Sequence, residues 1–129
     1  MKTIKFLLSG ILVCFAVLAQ SQTMTPDVAA GLKTGNVNLI NKYLAKSVDI
    51  SILNTSKTCS STEASAELSK FFQANAAKDF AAIHNGERTG SSYVIGKLTT
   101  STGDFRVTYY AKKIETGDYR INQIKIEKF

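Results

Sequence analysis

From Ala77 onward the sequence alternates apolar and polar residues with a period of two, and this commits the C-terminal half to strands. Four such segments follow one another: Asp79–Asn85, Ser91–Ser101, Asp104–Glu115 and Asp118–Lys128. They are separated by Gly86-Glu87-Arg88-Thr89-Gly90, Thr102-Gly103 and Thr116-Gly117, each with a glycine suited to a hairpin turn. Links this short join neighbours antiparallel, so the expectation is an antiparallel meander. Strands that run to ten residues or more, about 35 Å, usually bend. Gly96 is a candidate bend. In the last strand the apolar phase changes: Tyr119 and Ile121 are out of step with Ile124 and Ile126, and a bulge near Asn122-Gln123 would reconcile them.

The N-terminal half carries helix signals. Thr25-Pro26-Asp27 reads as a start, with Thr25 as N-cap, Pro26 at the first helical position and Asp27 in the acid-favouring first turn. That helix should run to about Thr34 and end at Gly35. Asn36 can cap a second helix, with Val37, Ile40, Tyr43 and Leu44 on one face. Val48–Leu53 alternates as a short strand with Val48, Ile50 and Ile52 on one side, and Asn54–Thr58 reads as a loop. Ser60-Ser61-Thr62-Glu63 matches a capping box, and Ala64, Leu68, Phe71 and Phe72 then form an apolar helical stripe. The expected fold is α+β: three helices from the N-terminal half packed on a curved antiparallel sheet of about five strands. It forms a single domain over residues 26–129, after a flexible stretch at 20–25.

The first residues are of another kind. Lys2 and Lys5 precede an apolar run from Phe6 to Leu18, and Val17-Leu18-Ala19 has the small-residue pattern of a cleavage site. This is the layout of a secretory signal peptide over residues 1–19. The run is short for a membrane anchor, which needs about 20 residues. Cys14 lies inside it behind Val13, a poor setting for lipid attachment. The expectation is export to a periplasmic or extracellular location, with no transmembrane span after cleavage. Removing 19 of 129 residues and two lysines leaves 110 residues, with the formal charge reduced from +6 to +4. That mild excess favours acidic partners. Cys59 remains as a lone cysteine, unable to make an internal disulfide, and its Ser- and Thr-rich setting suggests exposure.

Several stretches together resemble one known group: AGLKTGNVNLINKYLAKSVDISIL, the FF of the third helix, FAAIHNG, SYVIGKL, GDFRVTYYAKK and YRINQIKIEK. The chain resembles the nuclear-transport-factor-2-like, or cystatin-like, cone fold. Within that fold it is similar to a family of small exported proteins of unknown function, typical of Bacteroidota-type bacteria. The resemblance implies a sheet curling round the helices with an apolar interior. Some relatives of this fold are enzymes, including ketosteroid isomerases and dehydratases, and others are binding or dimerisation modules, so fold alone does not choose between them.

Chemistry-bearing residues are few. One histidine and, after cleavage, one cysteine make a zinc or copper site untenable, and no phosphate loop or nucleophile elbow occurs. No cofactor is expected. Candidate pocket-lining residues are Tyr43, His84, Phe105 and Tyr109. Period two places His84 with Phe80 and Ala82, toward the cone interior. An isomerase-like site would need a carboxylate and an acidic donor converging in an apolar pocket. Asp49, Asp79 and Asp104 are the candidate bases, and Tyr43, Tyr109 and Tyr110 the candidate donors. Phe105, Val107, Tyr109 and Ala111 share the expected core face of their strand. Arg106, Thr108, Tyr110 and Lys112 share the other, where Arg106, Tyr110 and Lys112 are candidate contact residues. Basic and aromatic residues together can also bind nucleic acid, but export argues against that. The leading functional expectation is an exported, non-catalytic binding module for an acidic envelope protein or a small apolar ligand, with a homodimer left open. The alternative is a small cone-fold enzyme using an interior Tyr or His with a carboxylate. An interior closed by Phe71, Phe72, Ile83 and Leu98 would favour the module.

Overall fold

The structure, a computed structural model, describes residues 24–129. The expected leader at 1–19, Cys14 and residues 20–23 lie outside the described residues. Three helices and six strands follow in the order α1 (Met24–Thr34), α2 (Val37–Asn41), β1 (Leu44–Ile52), β2 (Thr55–Ser60), α3 (Ser61–Ala74), β3 (Ala77–Arg88), β4 (Ser91–Thr100), β5 (Gly103–Lys113) and β6 (Tyr119–Lys128). The strands form one curved sheet in the order β2-β1-β6-β5-β4-β3.

The helix boundaries follow the capping chemistry with one shift. α1 begins at Met24, so Thr25 and Pro26 lie within its first turn, where a proline's missing N–H costs nothing because that donor has no intrahelical partner. Gly35 ends α1 in the left-handed region at φ 74°. The Asn36 side chain accepts from the Asn38 N–H at 3.1 Å and caps α2. Ser60 caps α3, with Glu63 N–H donating to Ser60 Oγ at 3.2 Å; the Glu63 carboxylate accepts from the Ser60 hydroxyl at 3.4 Å and not from the Ser60 N–H that a full capping box would use. α2 is shorter than its apolar spacing suggests. Leu44 leaves the helix to pair parallel with Ile121 of β6, and tertiary pairing overrides the local helical pattern.

The sheet departs from the expected antiparallel meander in two ways. β1 pairs parallel with β6; the two are far apart in the chain, so no hairpin forces them antiparallel. The segment read as a loop is largely the sixth strand, β2, paired antiparallel with β1 from Ile52↔Thr55 to Ser47↔Ser60. The positive φ of this hairpin, 55°, falls on Leu53, whose N–H donates to Ile126 O at 2.8 Å. A leucine is not a turn signal, and β2 buries only Cys59, so no apolar alternation marks it. Cys59 is thus buried, against the expected exposure, opposite Val48.

Three bulges interrupt the long strands, two on β3 and one on β6, the first of them at Lys78, between Ala77↔Thr100 and Asp79↔Thr99. On β6 the register passes from Ala111↔Ile121 to Tyr110↔Gln123, so Asn122 is the extra residue and Ile121, Ile124 and Ile126 all reach the core. On β3 it passes from Ala82↔Gly96 to His84↔Ile95, making Ile83 the extra residue. Beside this bulge the Phe80 ring lies where a Cβ on Gly96 would sit. The core fills the space between sheet and helices. Leu68, Leu98, Val107, Ile121 and Ile126 are fully buried, each contributing roughly 1.5–3 kcal/mol of transfer free energy. Phe71 meets Phe72 and Phe105 edge-on at 5.5 and 5.1 Å between ring centres.

Candidate functional site

The cone interior is where an enzyme of this shape would keep its chemistry, and here it is filled. Between Val28, Leu32, Ile40, Leu68, Tyr109 and Ile121 only about 10 Å³ remains, at most the room of a single water. The one polar group there is the Tyr109 hydroxyl, which is buried and has no hydrogen-bond partner. Burial alone pushes its pKa up to about 12. Phe105 is also buried, as a packing residue against Phe71.

His84 does not share this interior. The Ile83 bulge inverts the alternation of β3, so His84 comes into register with Ile95 on the opposite face. There it is exposed, with its ring centre 5.8 Å from Tyr93. Ile83 is 58% exposed and closes nothing. Each candidate base lies elsewhere with a surface partner: Asp49 accepts from Thr58 Oγ1 at 2.6 Å, Asp79 lies 3.7 Å from Lys33 and Asp104 lies 3.4 Å from Lys97.

Among the described residues two carboxylate–tyrosine pairs form, and sequence spacing gave no sign of either: on the surface the Tyr119 hydroxyl donates to Glu87 at 3.3 Å, and the shorter pair joins Tyr43 to Asp27. The Tyr43 hydroxyl donates to Asp27 Oδ2 at 2.6 Å, and Lys42 Nζ approaches the same oxygen at 3.0 Å. The bonds from Tyr43 and then Lys42 hold the Asp27 carboxyl below its usual range, while Asp27 holds the Tyr43 hydroxyl above its own. Both groups therefore keep their neutral-pH forms, and neither lines a cavity described here. The trio clamps α1 onto the entry to β1.

The exposed face of the sheet carries the remaining candidates. Arg106 and Lys112 are exposed and Tyr110 is 42% exposed. Thr108 is buried between Ile95 and Lys125 in the cross-strand register. Tyr110 lies opposite Tyr93, at 6.1 Å between ring centres, so His84, Tyr93 and Tyr110 form an aromatic row across β3, β4 and β5. Charge is uneven along this face. At one end Lys97 pairs with Asp104 at 3.4 Å, Lys125 with Glu127 at 3.6 Å, and Arg106 lies opposite Glu127. At the other end, no ion pair among the described residues involves Lys112 or its cross-strand neighbour Arg120.

Among the described residues, three surface concavities are of ligand size. Two are about 360 and 390 Å³, one beside Asn36 and Phe72 and the other beside Asp49 and Lys57. The third, about 880 Å³, lies where β1 parts from β6, between Leu44–Ser47 and the β5–β6 turn. Among the described residues no group of three or more His, Cys, Asp or Glu side chains is placed to hold a metal, and no helix is long and apolar enough to cross a membrane.

The profile of a domain of unknown function, DUF4783, matches residues 25–127. A DUF4783 family protein from Bacteroides uniformis, known from its crystal structure, is 36% identical, with 81% of this chain and 95% of that chain covered and a TM-score of 0.77. One from Bacteroides ovatus is 34% identical over 79% of this chain and 92% of that chain, with a TM-score of 0.76. A protein from Silicibacter pomeroyi with a cystatin-like fold shares only 14% identity, over 81% of this chain and 72% of that chain, with a TM-score of 0.59. That likeness places the fold among the cystatin-like cones. No curated protein matches the chain.

Proposed function

We propose that this chain, which belongs to the DUF4783 family, is a non-catalytic binding module that works outside the cytoplasm. The observation that carries this reading is the closed interior: about 10 Å³ of space and one unpartnered hydroxyl, Tyr109. Acid–base chemistry needs a substrate-sized cavity and a second titratable group within hydrogen-bond reach, and the interior offers neither. The apolar leader sequence supports export. The partner is an acidic protein of the cell envelope, met by the exposed sheet face through Arg106, Tyr110 and Lys112. Tyr110 supplies contact area, and the two cations supply orientation and salt dependence. Capture from a solubilised envelope fraction tests the reading, with mass spectrometry of both the proteins and the small molecules retained. The expected result is an acidic protein released by salt. A small molecule held stoichiometrically in the interior, or turned over, would contradict the reading.

A further inference from the structure

Resting on the binding-module reading, the geometry points to the groove between β1 and the β5–β6 turn as the docking site for an extended acidic peptide segment of a partner protein, one that alternates carboxylate and apolar side chains. At about 880 Å³ this is more than twice the size of the two other ligand-sized concavities. Its rim carries Lys46, Lys113 and Arg120 against a single carboxylate, Glu115. Among the described residues none of these four takes part in an ion pair. Lys113 Nζ lies 5.9 Å from the centre of the Tyr119 ring, and Arg120 Nη1 donates to Tyr119 O at 3.0 Å. Those contacts orient the two cations without neutralising them.

The apolar part of the groove comes from Leu44, Ala45 and Ile114. Ile114 is 40% exposed although it has a large aliphatic side chain, and an apolar residue of the partner would cover it. The backbone favours a peptide over a headgroup or a sugar. β1 pairs with β6 at Leu44 and then not again until Asp49, while its pairing with β2 starts only at Ser47. Ala45 and Lys46 are therefore strand residues outside both ladders, and they border the groove. Extended backbone of this kind is what a peptide strand can add to, with alternate side chains supplying specificity. The period of two sets the pattern, since carboxylates facing the cations leave the intervening apolar side chains facing Ile114 and Leu44.

The test is an anisotropy titration of the purified chain with a fluorescein-labelled decapeptide alternating Glu and Leu, beside its Gln-for-Glu counterpart. Vesicles of phosphatidylcholine and phosphatidylglycerol form a separate arm. The acidic peptide should bind, more weakly as salt rises, and the Gln peptide should not. Lys46→Glu with Lys113→Glu should weaken binding roughly tenfold or more. Glu115→Gln should tighten it about twofold to threefold, a gain that a folding defect cannot imitate. Lys70→Glu, exposed on α3 and outside the groove, should change it little. No anisotropy change up to about 1 mM peptide would overturn the assignment. So would a loss on Lys70→Glu equal to that of the groove variant, or vesicle binding that depends on Lys46 and Lys113 where peptide binding does not. A chain that fails these tests yet still captures an acidic envelope protein loses the groove alone, whereas turnover of a small molecule would remove the module reading itself.

Discussion

The ring of Phe80 lies directly over Gly96 on the neighbouring strand, occupying the place where any other residue would carry its Cβ. The glycine therefore gives β4 a seat for an aromatic ring beside the bulge that turns β3. Gly96→Ala should force Phe80 out of that seat and cost roughly 1–3 kcal/mol. A chemical denaturation series measures this directly, and an unchanged midpoint would show that Phe80 has another place to go.

Phe71 joins α3 to the sheet through its edge-on contacts with Phe72 and Phe105. Phe71→Ala leaves a cavity where the helix and sheet meet, and should destabilise the domain by roughly 3–5 kcal/mol. Thermal unfolding tests it. If the midpoint stays where it was, α3 does not supply the core.

Tyr109 holds a hydroxyl in the core with no partner. Leaving such a group unsatisfied costs about 1–3 kcal/mol, so Tyr109→Phe should be neutral or slightly stabilising at pH 7. The pH dependence has a definite sign. The folded pKa is raised to about 12 from an ordinary 10.0, so the folded state holds the proton where the unfolded state releases it. Stability linked to this group is complete below pH 10 and falls as pH rises toward 12, by on the order of 2–3 kcal/mol. Tyr109→Phe should lose less stability over that window than the wild type, and parallel curves for the two would mean that the hydroxyl is solvated.

Export is tested at the N-terminus. The form recovered from the envelope or medium should begin near Gln20, because signals of this layout are removed. N-terminal sequencing that returns Met1 from that fraction would contradict cleavage.

Most of the fold was legible because period and punctuation agree locally. The capping residues Asn36 and Ser60, the stripe of α3 and the phase change before Ile124 all follow from neighbouring residues, and each is present. What was hidden depended on distant parts of the chain. β2 has no apolar alternation because its outward face is polar and its inward face buries one cysteine. Leu44 looks helical until Ile121 is there to pair with it. His84 was misplaced because one extra residue, Ile83, inverts the alternation on which its assignment depended. The same blindness applies to the candidate site. The Asp27–Tyr43 pair spans α1 and the entry to β1, and the groove exists only because β1 and β6 separate and the β5–β6 turn closes the gap.

If this domain binds through its outside and not through its interior, variants on the two sides should behave differently. Envelope capture is run on the wild type, on Tyr109→Phe and on the double charge reversal Arg106→Glu with Lys112→Glu, with light scattering on each. Tyr109→Phe should capture the same acidic protein as the wild type, while the double reversal should lose it with its mass unchanged. Loss of capture by Tyr109→Phe with an intact thermal midpoint would rule out binding through the outer face, as would a dimer that persists at high salt and survives both reversals.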